Sequence, residues 1–304
     1  MSNLLINALL PIALIIFTGY LFKHMKFPTA DFWPKMDRFT YYVLMPSLLV
    51  YELAVAKINV SHTVNLVAIS LSGIFLVLVL LMLLKGVFHF ENRAFTSIVQ
   101  GGIRFNTYVL LALVNALYGA QGLVLSAIVI AFAIPFINVL CISVFAIYTR
   151  EGTFSMKRFL TTVVKNPLIV ACAIGGLLNV LGNPLPTFML KSIAIISHAA
   201  LPMGLLSVGV GLELKHLSHA KKALVVSSSA KLVVFPLIAY ALGTFTGLSG
   251  MSLSIAVIFA SMPTATSAYI LAREMGGDVS LMASIITVQT LACMGTLFLI
   301  LPLL

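Results

Sequence analysis

The feature that most constrains how this chain can fold is a spacing of helix-breaking residues that occurs twice. Two prolines and a glycine of the first half return 156 positions later, Pro11, Gly19 and Pro46 as Pro167, Gly175 and Pro202. Proline is rare inside helices because it removes a backbone hydrogen bond, so three matches in one register are hard to obtain by chance. The spacing indicates an internal repeat of half the chain, a pattern found in many secondary transporters.

The composition indicates an integral membrane protein. Hydrophobic residues make up 61% of the chain and charged residues 9%, and the mean hydropathy is +1.13, whereas soluble domains carry about 25% charged residues. A helix needs about 20 apolar residues to cross the hydrocarbon core. We predict an all-α polytopic membrane protein with ten transmembrane helices, at residues 4–22, 36–55, 64–84, 93–117, 123–148, 167–182, 187–212, 222–246, 250–272 and 279–302.

Basic residues are concentrated in alternate connections between these spans. The connections after odd-numbered spans contain Lys23, Lys26, Lys35, Arg38, Lys85, Arg93, Arg150, Lys157, Arg158, Lys165, Lys215, Lys221, Lys222 and Arg273, and Lys57 is the clear exception to the pattern. Because Lys and Arg are retained on the cytoplasmic side, we predict a plasma membrane protein, in a bacterial inner membrane, with both termini outside the cytoplasm. The net charge of +10 is then a topology signal and predicts no nucleic-acid partner.

Each half of the chain carries an odd number of predicted spans. The second half must therefore enter the membrane in the opposite direction, which predicts a 5+5 inverted repeat with halves 1–150 and 151–304. Inverted repeats give two similar states that can exchange roles around a site near the bilayer midplane.

Spans four and nine each place a helix breaker and several polar groups near the middle of the membrane. Span four contains Gly101 and Gly102 followed by Ile-Arg-Phe-Asn-Thr-Tyr, and span nine contains Pro263 within Ser-Met-Pro-Thr-Ala-Thr-Ser. We expect a break at both places, with Pro46 and Pro202 marking further hinges or kinks. Two half-helices that meet at a break offer N–H groups and positive dipole ends to an anion.

Two cationic residues fall deep inside predicted spans, Arg104 in span four and Lys231 in span eight, whereas none of the eight acidic residues falls clearly at mid-span. A cation at the bilayer centre costs on the order of 3 kcal/mol or more, so it is a functional candidate. The positive interior favours an anionic substrate and argues against an antiporter that needs buried carboxylates. The alternative for Arg104 is capping of broken-helix carbonyls, and a structural role stays open for Lys231.

Three motifs carry a family resemblance. They are Gly-Ile-Arg-Phe-Asn-Thr-Tyr at 102–108, Ala-Leu-Pro-Met-Gly-Leu-Leu-Ser-Val-Gly at 200–209, and Met-Pro-Thr-Ala-Thr-Ser-Ala-Tyr-Ile-Leu-Ala at 262–272 followed by Gly-Gly-Asp at 276–278. These motifs resemble the auxin efflux carrier family. The connection at 149–166 is short, as in compact bacterial relatives, which argues against auxin itself as the substrate.

The resemblance implies a fold similar to the bile-acid sodium symporters. Scaffold helices would comprise about 4–55 and 167–212, and a moving transport domain about 64–148 and 222–302, with helices four and nine crossing. It also implies a homodimer formed through the scaffold helices. Residues that would line the crossing are Arg104, Asn106, Tyr108, Pro263, Thr264, Thr266 and Ser267. Helix four lacks the proline that plant members carry at the crossing, so Gly101 and Gly102 would have to supply its flexibility.

The leading hypothesis is a secondary carrier of a small organic anion, a mono- or dicarboxylate such as malate, malonate or lactate, that works by an elevator movement within the lipid membrane. Arg104 and Lys231 would neutralise the carboxylate. Hydrogen bonds would come from Asn106, Thr264 and Ser267, and the other groups expected to face the substrate are Tyr42, Ser47, Ser207 and, as a weaker candidate, Gln289.

Two other functions remain open. A sodium- or proton-coupled exchanger on the same fold would use Asn106, Gln289 and freed carbonyls to coordinate the cation. A non-transporting membrane sensor would bind ligand without flux. An enzyme is the least expected class, because the sequence contains no nucleophile–base pair or metal-ligand cluster, and no cofactor is predicted.

Overall fold

The computed structural model describes residues 2–29, 31–56, 60–149, 161, 164–214 and 220–303, and these residues form helices, turns and short extended segments without any strand. The predicted connection between the halves lies largely outside them. Five basic residues used in the topology prediction also lie outside the described residues: Lys57, Arg150, Lys157, Arg158 and Lys215.

In the first half of the chain, the residues that the structure describes form six α-helices. They are α1 (Ser2–His24), α2 (Phe32–Phe39), α3 (Met45–Val55), α4 (Val60–Phe88), α5 (Asn92–Ile103) and α6 (Thr107–Tyr148). Helix α6 is two helices joined at a kink, because Gly119 has φ 58° and ψ −147°. This left-handed conformation is readily adopted only by glycine, and it lies between the predicted spans four and five.

The described residues of the second half form eight shorter or broken helices. They are α7 (Pro167–Val180), α8 (Thr187–Ser197), α9 (Ala200–Val210), α10 (Lys221–Ser229), α11 (Phe235–Phe245), α12 (Gly250–Ser261), α13 (Ser267–Glu274) and α14 (Val279–Ile300). A short 3₁₀ turn, Leu301–Leu303, follows α14.

Six helical stretches of the described chain are long and apolar enough to cross a membrane. They are Ile6–His24, Thr63–Phe88, Asn92–Tyr148, Thr187–Val210, Lys221–Phe245 and Val279–Ile300. Two shorter apolar helices, Pro167–Val180 and Gly250–Ser261, accompany them. The all-helical, polytopic membrane class is therefore confirmed, and the count of ten spans stays a prediction.

Two wide turns of π-helix precede prolines in the predicted spans. One, Thr40–Leu44, joins α2 to α3 just before Pro46, and the other, Ala230–Val234, joins α10 to α11 just before Pro236. Proline has no N–H and its ring clashes with the carbonyl four residues earlier, so a locally widened turn accommodates it while the helix continues. Pro46 is therefore at a π turn, and Pro202 lies in the first turn of α9.

Helices of the two halves pack on each other in a reciprocal way. Helix α1 lies against α9, and α3 lies against α7. A side chain at Gly19 would overlap the Leu206 carbonyl, and one at Gly175 would contact the Val50 carbonyl. Gly175 and Leu206 lie 156 positions after Gly19 and Val50, the displacement of the sequence repeat. Small residues permit this close approach of helix backbones, which stabilises helix association in membranes by van der Waals contact.

The remaining helices form a second packed group. Helices α5 and α10 lie together, α12 contacts α4, α6 and α11, and α14 packs on both α5 and α10. The aromatic side chains of Phe95, Phe235 and Phe259 are fully buried among them. This group holds the two interrupted helices from which the candidate site is built.

Candidate functional site

The first interruption separates α5 from α6. Arg104 is extended (φ −74°, ψ 155°), as is Asn106 (φ −88°, ψ 108°), and α6 begins at Thr107. The Asn106 Oδ1 atom accepts hydrogen bonds from the backbone N–H groups of Tyr108 at 3.0 Å and Val109 at 3.2 Å. Asparagine is a strong N-cap because its side chain satisfies N–H groups that lack helical partners. Asn106 therefore fixes where the new helix starts.

The glycines expected to form the hinge lie before this interruption. Gly101 and Gly102 are inside α5, which continues to Ile103. A side chain at Gly101 would overlap Ser227, and one at Gly102 would overlap Leu81. Their placement corrects the expected hinge position: these glycines allow close helix packing, and the extended residues follow them.

The second interruption lies between α12, which ends at Ser261, and α13, which begins at Ser267. Met262 is extended (φ −68°, ψ 141°). The residue before a proline is pushed out of the helical region by clash with the proline ring, so Pro263 accounts for the end of α12.

The two interruptions are joined by hydrogen bonds. The backbone N–H of Asn106 donates to the Pro263 carbonyl at 2.7 Å. The Thr264 N–H donates to Gln289 Oε1 at 3.0 Å, and Gln289 Nε2 donates to the Gly101 carbonyl at 3.0 Å. The Thr264 hydroxyl lies 2.8 Å from both of these acceptors and can donate to either. Backbone groups freed by the breaks are thereby satisfied, as they must be within a membrane.

A cavity of about 170 Å³ lies beside this crossing. It is bounded by both interruptions and by the ends of neighbouring helices, through Tyr41, Arg104, Phe105, Thr107, Ile134, Ile137, Asn138, Asn166, Leu168, Ala265 and Ser267. Thr107 and Ser267 are the first residues of α6 and α13. The positive dipole ends of two helices therefore meet the cavity.

Arg104 is the cationic residue of the cavity wall. Its Nη1 atom is buried and has no hydrogen-bond partner among the described residues. The guanidinium also contacts the buried Cys141 and interacts with the nearby Tyr41. A buried guanidinium nitrogen normally has a partner, so its free donor marks a place for an anionic or carbonyl group.

Lys231 occupies a different environment. It is 0% exposed, and its Nζ atom has no hydrogen-bond partner among the described residues. The ammonium lies 4.5 Å from the ring centre of Phe235 and 5.9 Å from that of Phe259. Phe105, which borders the cavity, packs edge-on against Phe259 with ring centres 4.6 Å apart. Lys231 therefore does not line the cavity that Arg104 borders, and lies against Phe235 and Phe259 instead.

The predicted site residues fall into three groups: those that line the cavity, those that build the crossing, and those that do neither. Arg104 and Ser267 line the cavity, whereas the crossing itself is built by Asn106, Pro263, Thr264 and Gln289. The residues that do not line this cavity are Tyr42, Ser47, Tyr108, Ser207, Lys231 and Thr266.

Several of these outer residues have local partners instead. Tyr42 is 57% exposed and packs against Tyr41, and the Ser47 hydroxyl donates to the Val43 carbonyl at 2.8 Å. The Ser207 hydroxyl donates to the Asp37 carboxylate.

Two more outer residues lie against glycines. Tyr108 lies where a side chain at Gly204 would be, and Thr266 lies beside Gly211.

Four polar residues of the cavity wall were not predicted: Tyr41, Thr107, Asn138 and Asn166. Asn166 carried a signal, since Asn before Pro167 is a typical helix start, and its side chain caps α7 through Leu168 at 3.0 Å. Thr107 lies inside the family motif. Asn138 is a lone amide in an apolar span, which periodicity alone does not distinguish from a packing contact.

Comparison with known proteins gives the family. Residues 4–301 match the family described as "Membrane transport protein". The chain belongs to this family. The family is that of the auxin efflux carriers, so the resemblance inferred from the motifs is confirmed, and membership points to a transporter rather than to an enzyme.

Individual relatives are distant. The chain is 24% identical over 294 residues to an uncharacterized transporter of Methanocaldococcus jannaschii, covering 93% of this chain and 94% of the relative. It is 23% identical over 301 residues to a Rhizobium meliloti protein named "Putative malonate transporter", covering 94% and 92%. A match to an uncharacterized transporter of Methanothermobacter thermautotrophicus reaches 32% over 148 residues and spans about half of each protein, 48% and 47%.

Proposed function

We propose that this family member is a secondary carrier of small organic anions, mono- or dicarboxylates, and that its substrate binds in the cavity at the crossing. The observation that carries the proposal is the buried, unpartnered Nη1 atom of Arg104 in the cavity wall. A carboxylate there would form a charge-assisted hydrogen bond, which is stronger than a bond between neutral groups.

The ends of α6 and α13 add to the attraction for an anion. Thr107 and Ser267 begin these helices and line the cavity, and helix N-termini favour negative charge. None of the described lining residues is acidic, and Arg104 carries a positive charge. This charge and the two helix N-termini suit an anion better than a cation.

Transport would follow an elevator movement within a 5+5 inverted repeat of ten spans. Helices α1–α3 and α7–α9 would form the scaffold, and α4–α6 with α10–α14 the moving domain. The reciprocal contacts of Gly19 and Gly175 support such a repeat. Exchange of the two repeat conformations would then move the crossing from one side of the membrane to the other.

The cavity in this structure would face the cytoplasm. Tyr41 and Asn166 border it and lie just after the predicted basic connections that precede spans two and six. With these connections inside, the protein would reside in the plasma membrane with both termini outside the cytoplasm. A homodimer through the scaffold helices completes the proposal.

The direct test is uptake of labelled carboxylates by liposomes that contain the purified full-length protein. Arg104→Ala should abolish most of the uptake because it removes the charged donor, whereas Lys191→Ala, on an exposed position of α8, is the matched control and should behave like the unmodified protein. Ligand binding without any flux would instead support a sensor. Undiminished uptake by Arg104→Ala would contradict the proposed site.

A second candidate, coupling to protons, is favoured by one contact. Asp37 accepts a hydrogen bond from Ser207 and interacts electrostatically with Tyr108 of α6. A carboxylate therefore lies closer to the crossing than the sequence suggested. If it couples transport to protons, a pH gradient should drive uptake by the unmodified protein but not by Asp37→Asn; equal driving of both would exclude this role.

A further inference from the structure

We propose that the preferred substrate is a small monocarboxylate with a hydroxyl or keto group next to the carboxylate, that is, a 2-hydroxy or 2-oxo acid. This inference rests on the proposed function and narrows it. It derives from the charge count, the neutral donors and the size of the cavity at the crossing.

The charge count favours a single carboxylate. Among the described residues that line the cavity, Arg104 is the one cationic side chain and none is acidic. Lys231 lies against Phe235 and Phe259 and is not part of the wall. A second carboxylate in the cavity would have no cationic partner, and an uncompensated charge in a partly desolvated site is strongly unfavourable.

The neutral groups favour an uncharged oxygen beside that carboxylate. Thr107, Asn138 and Ser267, whose side chains carry hydroxyl and amide groups, line the cavity. Tyr41 and Asn166 line it too, and Asn166 uses its Oδ1 to cap α7. A site built with such donors and acceptors rejects ligands that leave them unpaired.

The volume favours a short chain. A cavity of about 170 Å³ is smaller than the roughly 300–1,000 Å³ of pockets for drug-sized ligands. The rest of the described wall is apolar and is formed by Phe105, Ile134, Ile137, Leu168 and Ala265. Three-carbon acids such as lactate and pyruvate combine one carboxylate, one neutral oxygen and a methyl group, matching this arrangement.

The experiment compares three-carbon acids as substrates of the full-length protein in liposomes. Labelled lactate, pyruvate, propionate and malonate differ in the neutral oxygen or the second charge but not in carbon number, and malonate appears in the name of the Rhizobium meliloti relative. Lactate or pyruvate should be carried with kcat/KM at least about tenfold above both malonate and propionate, a factor that corresponds to about 1.4 kcal/mol.

The outcomes separate this inference from the function on which it rests. Malonate carried as well as or better than lactate and pyruvate would overturn the monocarboxylate preference while the anion carrier stands. Propionate carried equally well would overturn the role of the neutral donors. No uptake of any of these acids, nor of malate, would overturn both the inference and the proposed function.

A variant that adds a positive charge to the cavity wall also tests the preference for one carboxylate over two. Asn138→Lys places a second cation in the cavity wall and should raise the malonate-to-lactate ratio of kcat/KM about tenfold. Asn115→Lys, at an exposed position of the same helix α6, is the matched control and should leave the ratio unchanged. An unchanged ratio in a folded Asn138→Lys protein would contradict the charge count, and if that variant does not fold, the substrate comparison decides.

Discussion

Arg104 and Lys231 are both cations without a carboxylate partner among the described residues, yet their surroundings differ. Arg104 is half-buried, lies in an extended segment between two helices and borders a cavity whose wall contains both polar and apolar side chains. Lys231 lies in a continuous helical turn and faces the rings of Phe235 and Phe259. A charge at bilayer depth is a functional candidate by default, but only the first of these lines the cavity.

The difference shows what turns a buried charge into a site. At Arg104 the broken helix supplies helix N-termini, and the cavity supplies room for a ligand that completes the missing hydrogen bond. At Lys231 the cation–π contacts are worth about 2 kcal/mol when desolvated, which offsets part of the lost hydration without any ligand. We therefore expect the two residues to respond in opposite ways to substitution.

The largest effect is expected for Arg104→Ala. Removal of one partner of a buried charged hydrogen bond costs about 2 to 5 kcal/mol, so kcat/KM for carboxylate uptake should fall about 30-fold or more in liposomes. Arg104→Lys should recover part of the loss, because it keeps the charge but not the guanidinium geometry. If Arg104→Ala retained more than half of the uptake, the distinction between the two cations would fail.

The next effect is expected for Gln289→Leu, which tests whether the crossing holds Arg104 in place. This change leaves the Thr264 N–H without its side-chain partner, while the Gly101 carbonyl keeps the Thr264 hydroxyl as a donor; an unsatisfied buried group costs about 1 to 3 kcal/mol. Thermal unfolding in detergent should occur at clearly lower temperature, and uptake should fall with it.

Thr290→Val is the matched control for this change. Its hydroxyl donates at 2.7 Å to the Ile286 carbonyl of its own helix, so its loss leaves no group outside α14 unpaired. Equal destabilisation by both variants would show that the Gln289 bridge contributes no more than an ordinary helix hydroxyl.

Sequence patterns predicted one interruption better than the other. Pro263 gives a local steric reason for the end of α12 and could be identified directly. The end of α5 depends on the Asn106 cap and on hydrogen bonds to Pro263 and Gln289, which lie more than 150 residues away. Partners so distant in sequence cannot be predicted from the residues around the break. The hinge was therefore predicted at the nearby Gly101 and Gly102.

The π turns explain two further differences between the predicted and the observed lining of the cavity. Tyr42 was predicted to face the substrate, but its neighbour Tyr41 lines the cavity. Lys231 was also predicted to face the substrate, but it does not line the cavity. Both predicted residues fall in π turns, Thr40–Leu44 and Ala230–Val234. A widened turn rotates the side chains that follow it around the helix axis by part of a turn. The proline after each turn can be recognised in the sequence, but this rotation cannot.

A smaller effect is expected for the rates at which a thiol reagent modifies cysteines introduced in the cavity wall and in the closed packing of α10. In a background without the native cysteines, Ser267→Cys places a thiol in the cavity wall, whereas Ser227→Cys places one in the closed packing of α10, where Ser227 is fully buried and bonded to Ile98. A hydrophilic thiol reagent added from the cytoplasmic side should modify the first at least about tenfold faster, since modification requires access to water. Equal rates of modification would mean that the cavity is closed to solvent or that water reaches the packing around Ser227.

The smallest effect is expected for Lys231→Met, which tests whether Lys231, unlike Arg104, lies outside the substrate site. Methionine has a similar length and packs well against aromatic rings, while it removes a charge whose burial is costly without a counter-ion. Uptake should stay within about threefold of the unmodified protein, the range of variants that act outside a site, and the unfolding temperature should be unchanged or higher. A loss comparable to that of Arg104→Ala, in a protein that remains folded, would mean that Lys231 meets the substrate in another state of the transport cycle, because its side chain is fully buried and does not line the cavity in this one.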